Sequence, residues 1–157
     1  MKVILLYLFI SFASGLLFVN MYTSIIDHHS WGSDFPKSIQ TAREYFKSGN
    51  PGKFFRVFAP VSQVLALLAL IFFWKTSLPI RILLAAAFLL VVGTDVITFR
   101  YFYPRNDIIF NSDLSSNLDS IEKAWKQWGM MNWVRSLIAT IALVCSMIAL
   151  HKYYGLK

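Results

Sequence analysis

Charged residues are scarce in this chain of 157 residues, of which only 15% are Asp, Glu, Lys or Arg. A typical soluble domain carries about 25% charged residues. Hydrophobic residues instead make up 57% of the sequence, and aromatic residues alone make up 17%. This composition excludes an ordinary cytosolic or secreted globular protein. It indicates a membrane protein of one domain that crosses the bilayer several times.

Cysteine and acidic residues are also few. The one cysteine, Cys145, has no partner for an internal disulfide, and its place inside an apolar segment is typical of a small packing residue. Eight acidic residues stand against 15 Lys and Arg, which gives a net charge of +7. No basic run interleaved with aromatic residues stands in a polar context, so the excess positive charge indicates membrane topology rather than a nucleic-acid partner.

Motifs for common catalytic chemistry are missing. The chain has no P-loop, dinucleotide fingerprint, nucleophile elbow or Cys–His pair, which argues against the usual hydrolases and nucleotide enzymes. His28 and His29 stand near Asp27 and Asp34, but neighbouring helical residues point about 100° apart. No third nitrogen or sulfur ligand follows at zinc-like spacing. We therefore expect no metal and no other cofactor.

Four apolar segments are long enough to cross a bilayer, which takes about 20 residues. They cover roughly residues 3–26, 57–74, 80–103 and 129–151. The first follows Lys2 as a signal peptide would, but its apolar stretch outlasts the hydrophobic region of about 7–15 residues that a signal peptide has. The sequence predicts an all-α fold, a membrane-embedded four-helix bundle that forms one domain over residues 1–157.

Two polar connections, residues 27–56 and 105–127, lie on the same side of the predicted bundle, and each contains an amphipathic helical pattern. The apolar positions are Phe35, Ile39, Ala42 and Phe46 in the first and Leu114, Leu118, Ile121, Trp125 and Trp128 in the second. We expect short amphipathic helices at the membrane surface. Pro60 is predicted in the first turn of the second span, Pro104 at the end of the third, and Gly129 at a bend.

An even number of spans places both chain ends on one side of the membrane. That side carries Lys2, Lys75, Arg81, Lys152 and Lys157 and no acidic residue. Because Lys and Arg near span ends favour the cytoplasmic side, we expect an integral membrane protein whose termini are cytoplasmic.

Arg135 stands inside the last apolar segment, where a charge is costly and marks a candidate functional site. It follows Trp128 by seven residues, which is about 10 Å along a helix. Asp95 precedes Pro104 by nine residues, which is about 13 Å. The two charges therefore lie at a similar depth, and we expect them to pair.

Other polar residues fall at this depth too. The candidate ligand-binding cluster contains Asn20, Asp95, Thr98, Trp128, Asn132 and Arg135. Depth alone does not place Gln63 in it. Three interpretations are open: a buried ion pair that sets helix register, a ligand or substrate site open toward the polar loops, and an ion or proton path. One acid facing one base makes a poor relay, which disfavours the last.

Several features recur in a fixed order along the chain. They are Gly15 followed by Asn20 in the first span, Pro36 with an amphipathic helix, Pro104-x-Asn106, and Trp128-x-x-x-Asn132-x-x-Arg135. Together they resemble the anthrone oxygenase-like family of small four-helix membrane proteins. The resemblance implies a site that includes Asn106 and Arg135. It also implies oxidation of anthrones to anthraquinones without an evident cofactor.

Asn132 departs from the family pattern, in which many members carry His at this position. An amide does not titrate, so a general base is lost there and the fold carries over better than the oxygenase activity. Two hypotheses follow. In the first, the protein binds or oxidises a lipophilic, quinone-like molecule in a pocket walled by Trp125, Trp128, Trp133, Phe99 and Phe102. In the second, it is a non-catalytic scaffold or accessory subunit whose Asp95–Arg135 pair is structural.

Overall fold

The computed structural model describes residues 1–155, and this part of the chain is helical without strands, as predicted. The helices are α1 (Lys2–Tyr22), α2 (His28–Trp31), α3 (Lys37–Tyr45), α4 (Pro51–Phe72), α5 (Leu78–Ile97), α6 (Tyr103–Asn111) and α7 (Leu118–Gly155). Four continuous stretches, Lys2–Trp31, Pro51–Phe72, Leu78–Asn111 and Leu118–Gly155, are long and apolar enough to cross a membrane. The four predicted spans are therefore confirmed, while their limits within the bilayer and the domain limits stay predictions.

The four long helices form a ring, in which α1 and α5 each pack against both α4 and α7. Apolar residues such as Phe9, Phe73 and Leu84 fill the half of the ring that lies near the chain termini. The hydroxyl oxygens of Tyr7 and Tyr154 are 3.4 Å apart, so the start of α1 and the end of α7 lie at the same end of the bundle. We call this end the terminal side and the opposite end the loop side. Lys157 lies outside the described residues.

Two π-helical turns interrupt the long helices near the loop side. One, Thr23–Asp27, joins α1 to α2, and the other, Thr98–Phe102, joins α5 to α6. The predicted helix end at Pro104 is wrong, because the helix continues through the second π turn to Asn111. Pro104 stands in the first turn of α6, where the missing N–H is tolerated. Such π turns often occur at functional sites.

Helix α4 begins earlier than predicted. The side chain of Asn50 caps it by accepting a hydrogen bond from the Lys53 amide at 3.2 Å, and Pro51 follows in the first turn. Asn followed by Pro is a common start of a helix, and the capping contact shows that it starts α4 here. Pro60 consequently lies inside α4 rather than in its first turn.

The polar connections form a helical layer on the loop side. Helix α3 buries Ile39 and Ala42, as its amphipathic pattern predicts. The second predicted amphipathic helix is the start of α7, which continues without interruption through Gly129. Residues Trp31, Ile39, Phe102, Ile109, Ile121 and Trp128 belong to one apolar core in this layer. The layer covers the loop-side end of the bundle, directly above the polar residues described next.

Candidate functional site

Arg135 lies on the inner side of α7, half-buried, and its hydrogen-bond acceptors are neutral. Nη2 donates to the amide oxygens of Asn20 and Asn132, the latter at 2.6 Å, and Nη1 donates to Thr98 Oγ1 at 3.3 Å. A guanidinium has five N–H donors. In the described part of the chain, Nε and the second hydrogen of Nη1 have no acceptor. The arginine thus keeps donors available for a further oxygen.

The two amides are themselves fixed by hydrogen bonds. Asn132 is fully buried, and its Nδ2 donates to Ser24 Oγ at 2.5 Å and to the Asn20 carbonyl at 3.2 Å. Asn20 Nδ2 donates to Ser136 Oγ at 2.7 Å. Because both amide nitrogens are engaged elsewhere, both amide oxygens face Arg135. Ser24 belongs to the first π turn, so that turn contributes directly to the orientation of Asn132.

The second π turn provides the opposite wall. Its Thr98 accepts from Arg135, and the ring of its Phe102 has its centroid 4.3 Å from the guanidinium carbon. Phe55 of α4 lies on the same group at 5.3 Å. A cation on an aromatic face is stabilised by about 0.5–2 kcal/mol, more when water is excluded. Both π turns therefore contact the arginine network, and all four long helices surround it.

The predicted direct ion pair between Asp95 and Arg135 is not formed within residues 1–155, where the ion pair found is Lys126–Glu122 on the surface. Asp95 Oδ2 instead accepts from Gln63 Nε2 at 2.5 Å. Helical side chains lean toward the N-terminus of their own helix. Since α4 and α5 are antiparallel, Gln63 and Asp95 lean toward each other. That rule was the sequence signal for Gln63, which depth alone left outside the cluster.

Trp128 and Asn106 form a second polar pair one turn above. Trp128 Nε1 donates to Asn106 Oδ1 at 2.9 Å. The Trp128 ring meets Phe102 edge-on, with centroids 5.4 Å apart, and Phe102 in turn covers Arg135. Phe102 therefore connects the Trp128–Asn106 pair to the hydrogen-bond network of Arg135. The sequence analysis expected Phe102 only in the wall of the pocket.

His28 packs closely against two tryptophans of α7. Its ring stacks on Trp125 and Trp128, with centroids 4.8 Å and 5.9 Å away. Trp125 Nε1 donates to the His28 carbonyl at 2.9 Å, and His28 Nε2 lies 3.1 Å from the Trp125 carbonyl. Gly129 makes room, because a Cβ there would lie 2.2 Å from His28 Nε2. Over residues 1–155, no group of three His, Cys, Asp or Glu side chains is arranged to hold a metal.

Two residues expected in the pocket wall lie elsewhere. Trp133 and Phe99 are 49% and 59% exposed on the outside of the bundle, where lipid would surround them. Each directly follows an inward-facing residue, Asn132 or Thr98, and one helical step of about 100° turns the side chain away. Open grooves of about 470 and 370 Å³ occur beside α3 and between α1 and α7, and neither is lined by Arg135.

Four membrane-spanning helices around an arginine held by amides define a small polytopic membrane protein with a polar site inside the bundle. The chain belongs to the anthrone oxygenase family, whose sequence profile matches residues 53–145, more than half of its length. The resemblance noted from the motifs is thereby confirmed. The matched region includes Asp95, Asn106, Asn132 and Arg135 but not Asn20. No curated protein and no solved structure matched the chain.

Proposed function

We propose that the protein binds a lipophilic aromatic molecule in the bilayer by donating hydrogen bonds from Arg135 to one of its oxygen atoms. The observation that carries this proposal is the pair of unused N–H donors on a guanidinium whose protein partners are all neutral. Amide and hydroxyl oxygens orient the cation but do not neutralise it. In a medium of low dielectric constant, such a cation favours a carbonyl or phenolate oxygen strongly.

The surroundings suit a flat ring system. Phe102 and Phe55 lie against the guanidinium, at 4.3 Å and 5.3 Å. Phe55 is only half-buried on α4, so we take it as the side chain that moves when a ligand reaches Arg135 from the bilayer. The family name specifies an anthrone, a fused-ring ketone with one such oxygen.

Oxidation of the bound molecule is a separate outcome. Converting an anthrone to an anthraquinone with dioxygen replaces two hydrogens of one ring carbon by an oxygen and releases water. The first step removes a proton, and Asn132 is an amide that cannot accept it. Asp95, whose carboxylate accepts from Gln63, is the nearby titratable group. Our proposal is therefore limited to binding. Consumption of dioxygen by the protein in the presence of an anthrone would establish that it also catalyses the oxidation.

The binding proposal is tested with Arg135→Gln and a matched variant, Arg100→Gln, which removes an exposed arginine from the second π turn. Affinity for an anthrone and an anthraquinone is measured by equilibrium dialysis of the purified, folded protein in detergent. A hydrogen bond to a charged group is worth about 1.5–3 kcal/mol, so Arg135→Gln should weaken binding about 10- to 150-fold. Arg100→Gln should bind as the parent does.

Unchanged affinity in folded Arg135→Gln would contradict the proposal. If that variant does not accumulate in membranes while Arg135→Lys does and still fails to bind, the planar fork of the arginine is needed for the ligand. If the parent protein itself binds neither ligand, the scaffold hypothesis is preferred. The amide network then serves to link α1 to α7.

The orientation of the protein is part of the proposal. The terminal side carries Lys2, Lys75, Arg81 and Lys152 without an acidic residue, which supports termini in the cytoplasm. The polar loops and the layer above Arg135 then face the opposite side of the membrane.

A further inference from the structure

The terminal side of the bundle is uniformly basic. Its charged side chains in the described chain are Lys2, Lys75, Arg81 and Lys152. None of them pairs with a carboxylate within residues 1–155, because every Asp and Glu lies in the loop-side half. Like charges at one end repel each other, and an external anion would relieve that repulsion.

One N–H donor of Arg81 is buried and unsatisfied within the described part of the chain. Its Nε is buried and lacks a hydrogen-bond partner among the described residues. The guanidinium carbon lies 5.7 Å from the ring centroid of Trp74, in the turn between α4 and α5. Buried donors are nearly always paired, so an unpaired N–H on a charged group favours an acceptor from outside the protein.

A second cation lies beside the same turn. Lys2 Nζ is 5.4 Å from the ring centroid of Phe73 and 4.7 Å from that of Tyr153. Phe73 is fully buried, and its neighbour Trp74 is 58% exposed, as is typical of a tryptophan at the bilayer interface. The turn thus has two cations beside it and an exposed tryptophan ring.

We propose that this turn binds the phosphate of an anionic phospholipid, with Arg81 as the principal ligand. The phosphate accepts from Arg81 at the interface, and Lys2 contributes charge. Exposed apolar residues of α5, such as Leu78 and Ile82, would face the acyl chains. The site lies at the opposite end of the bundle from Arg135 and does not depend on the function proposed there.

Trp74 provides the readout, because the other tryptophans lie in the loop-side half of the chain. The full chain is reconstituted in phosphatidylcholine bilayers that contain a minor fraction of brominated phosphatidylglycerol or, for comparison, brominated phosphatidylcholine. Bromine quenches tryptophan fluorescence at contact, and the difference between the parent and Trp74→Phe isolates the Trp74 signal. We expect brominated phosphatidylglycerol to quench Trp74 beyond its share of the bilayer.

Arg81→Gln should reduce the preference for phosphatidylglycerol about fivefold, the effect of one basic residue near an anionic surface. The matched variant Arg100→Gln, at the other end of the bundle, should leave it unchanged. If Arg81→Gln does not fold, Lys2→Gln replaces it and should reduce the preference in the same direction. Equal quenching by the two brominated lipids, or a preference that survives both substitutions, would overturn the proposal.

Free phosphate offers the same chemistry as the headgroup, so a second arm adds inorganic phosphate at constant ionic strength. A bound lipid is expected to keep its preference, since its acyl chains hold it in the bilayer. Loss of the preference at millimolar phosphate would assign the site to the free ion and overturn the lipid proposal.

Discussion

At the scale of single residues, two amides hold the guanidinium of Arg135 in place without neutralising its charge as a carboxylate would. A direct ion pair would offset the charge and also occupy the guanidinium donors. Asn20 and Asn132 instead hold the guanidinium in place through their oxygens while their nitrogens are bound by serines and a carbonyl. The buried polar atoms of these amides are therefore satisfied, yet the positive charge is still available to a ligand.

Gly129 is predicted to be required by contact rather than by backbone conformation. A Cβ at this position would meet three atoms of the His28 ring, at 2.2, 2.3 and 2.8 Å. Gly129→Ala should therefore displace the stacked ring and destabilise the protein by about 1–3 kcal/mol, the usual cost of overpacking. Thermal unfolding in detergent measures the change.

Gly93→Ala is the matched control, because nothing lies within 4 Å of a Cβ there and the residue is also inside a helix. Alanine in a helix interior is better than glycine by about 0.5–1 kcal/mol, so this variant should be neutral or slightly more stable. Equal effects of the two substitutions would contradict the close packing of His28 on α7.

At the scale of helical elements, the two π turns lie where the arginine network needs polar groups. One supplies Ser24 to Asn132, and the other supplies Thr98 and Phe102 to Arg135. Each π turn inserts an extra residue and so changes which side chains face inward after it. Helix α6 is thereby directed over the bundle, where Asn106 reaches Trp128.

Arg43 is expected to hold α3 to the end of α6. Its Nε and Nη2 donate to the Ile109 carbonyl at 2.8 and 2.6 Å, and its Nη1 donates to the Ser112 carbonyl at 2.8 Å. Burial lowers the pKa of the Arg43 guanidinium, while Asp113 opposes this shift. Arg43→Ala leaves these helix-end carbonyls unpaired and should cost about 1–3 kcal/mol.

Limited proteolysis between α3 and α4 and the unfolding midpoint report the loss of Arg43. Lys37→Ala, on an exposed position of the same helix, should change neither. If Arg43→Ala unfolds and is cleaved like the parent, the arginine does not hold the layer together.

Asp113 gives the loop before α7 a pH dependence. Its carboxylate accepts from the hydroxyls of Ser115 and Ser116, at 2.6 and 2.7 Å, and these bonds lower the Asp113 pKa from 3.8 to about 2. A lowered pKa in the folded protein stabilises the loop above the ordinary pKa, and this contribution is lost as pH falls from 3.8 toward 2. Asp113→Asn should remove that part of the pH dependence of amide exchange over residues 112–117, whereas Asp119→Asn should preserve it.

At the scale of the whole molecule, the terminal half is an apolar bundle and the loop-side half contains the polar site beneath a helical layer. Contact between Tyr7 and Tyr154 shows that the two chain ends share one end of the bundle. Cytoplasmic termini predict that an impermeant maleimide labels Lys47→Cys in intact cells and labels Lys152→Cys only after the membrane is opened. Both variants are made in a Cys145→Ala background, which removes the chain's one native cysteine. The reverse labelling pattern would invert the proposed topology.

Much of the architecture could be predicted from the chain alone. Apolar segments long enough to span a bilayer require helices, because hydrocarbon offers no partners to an open backbone. Depth along those helices then brought Asn20, Thr98, Asn132 and Arg135 to one level, where the structure joins them by hydrogen bonds.

Only the tertiary structure decided which partners these residues take. Asp95 forms a hydrogen bond with Gln63 instead of Arg135. Counting residues along the helices places Gln63 at a different depth from Asp95, but the two side chains lean toward each other because their helices are antiparallel. The π turns could not be predicted from the spacing of apolar residues either, because one inserted residue shifts that spacing only locally. The sequence identified Arg135 as a charge that is costly at its depth in the membrane. Tertiary packing made it a cation with free donors, because it supplied amides where the sequence suggested a carboxylate.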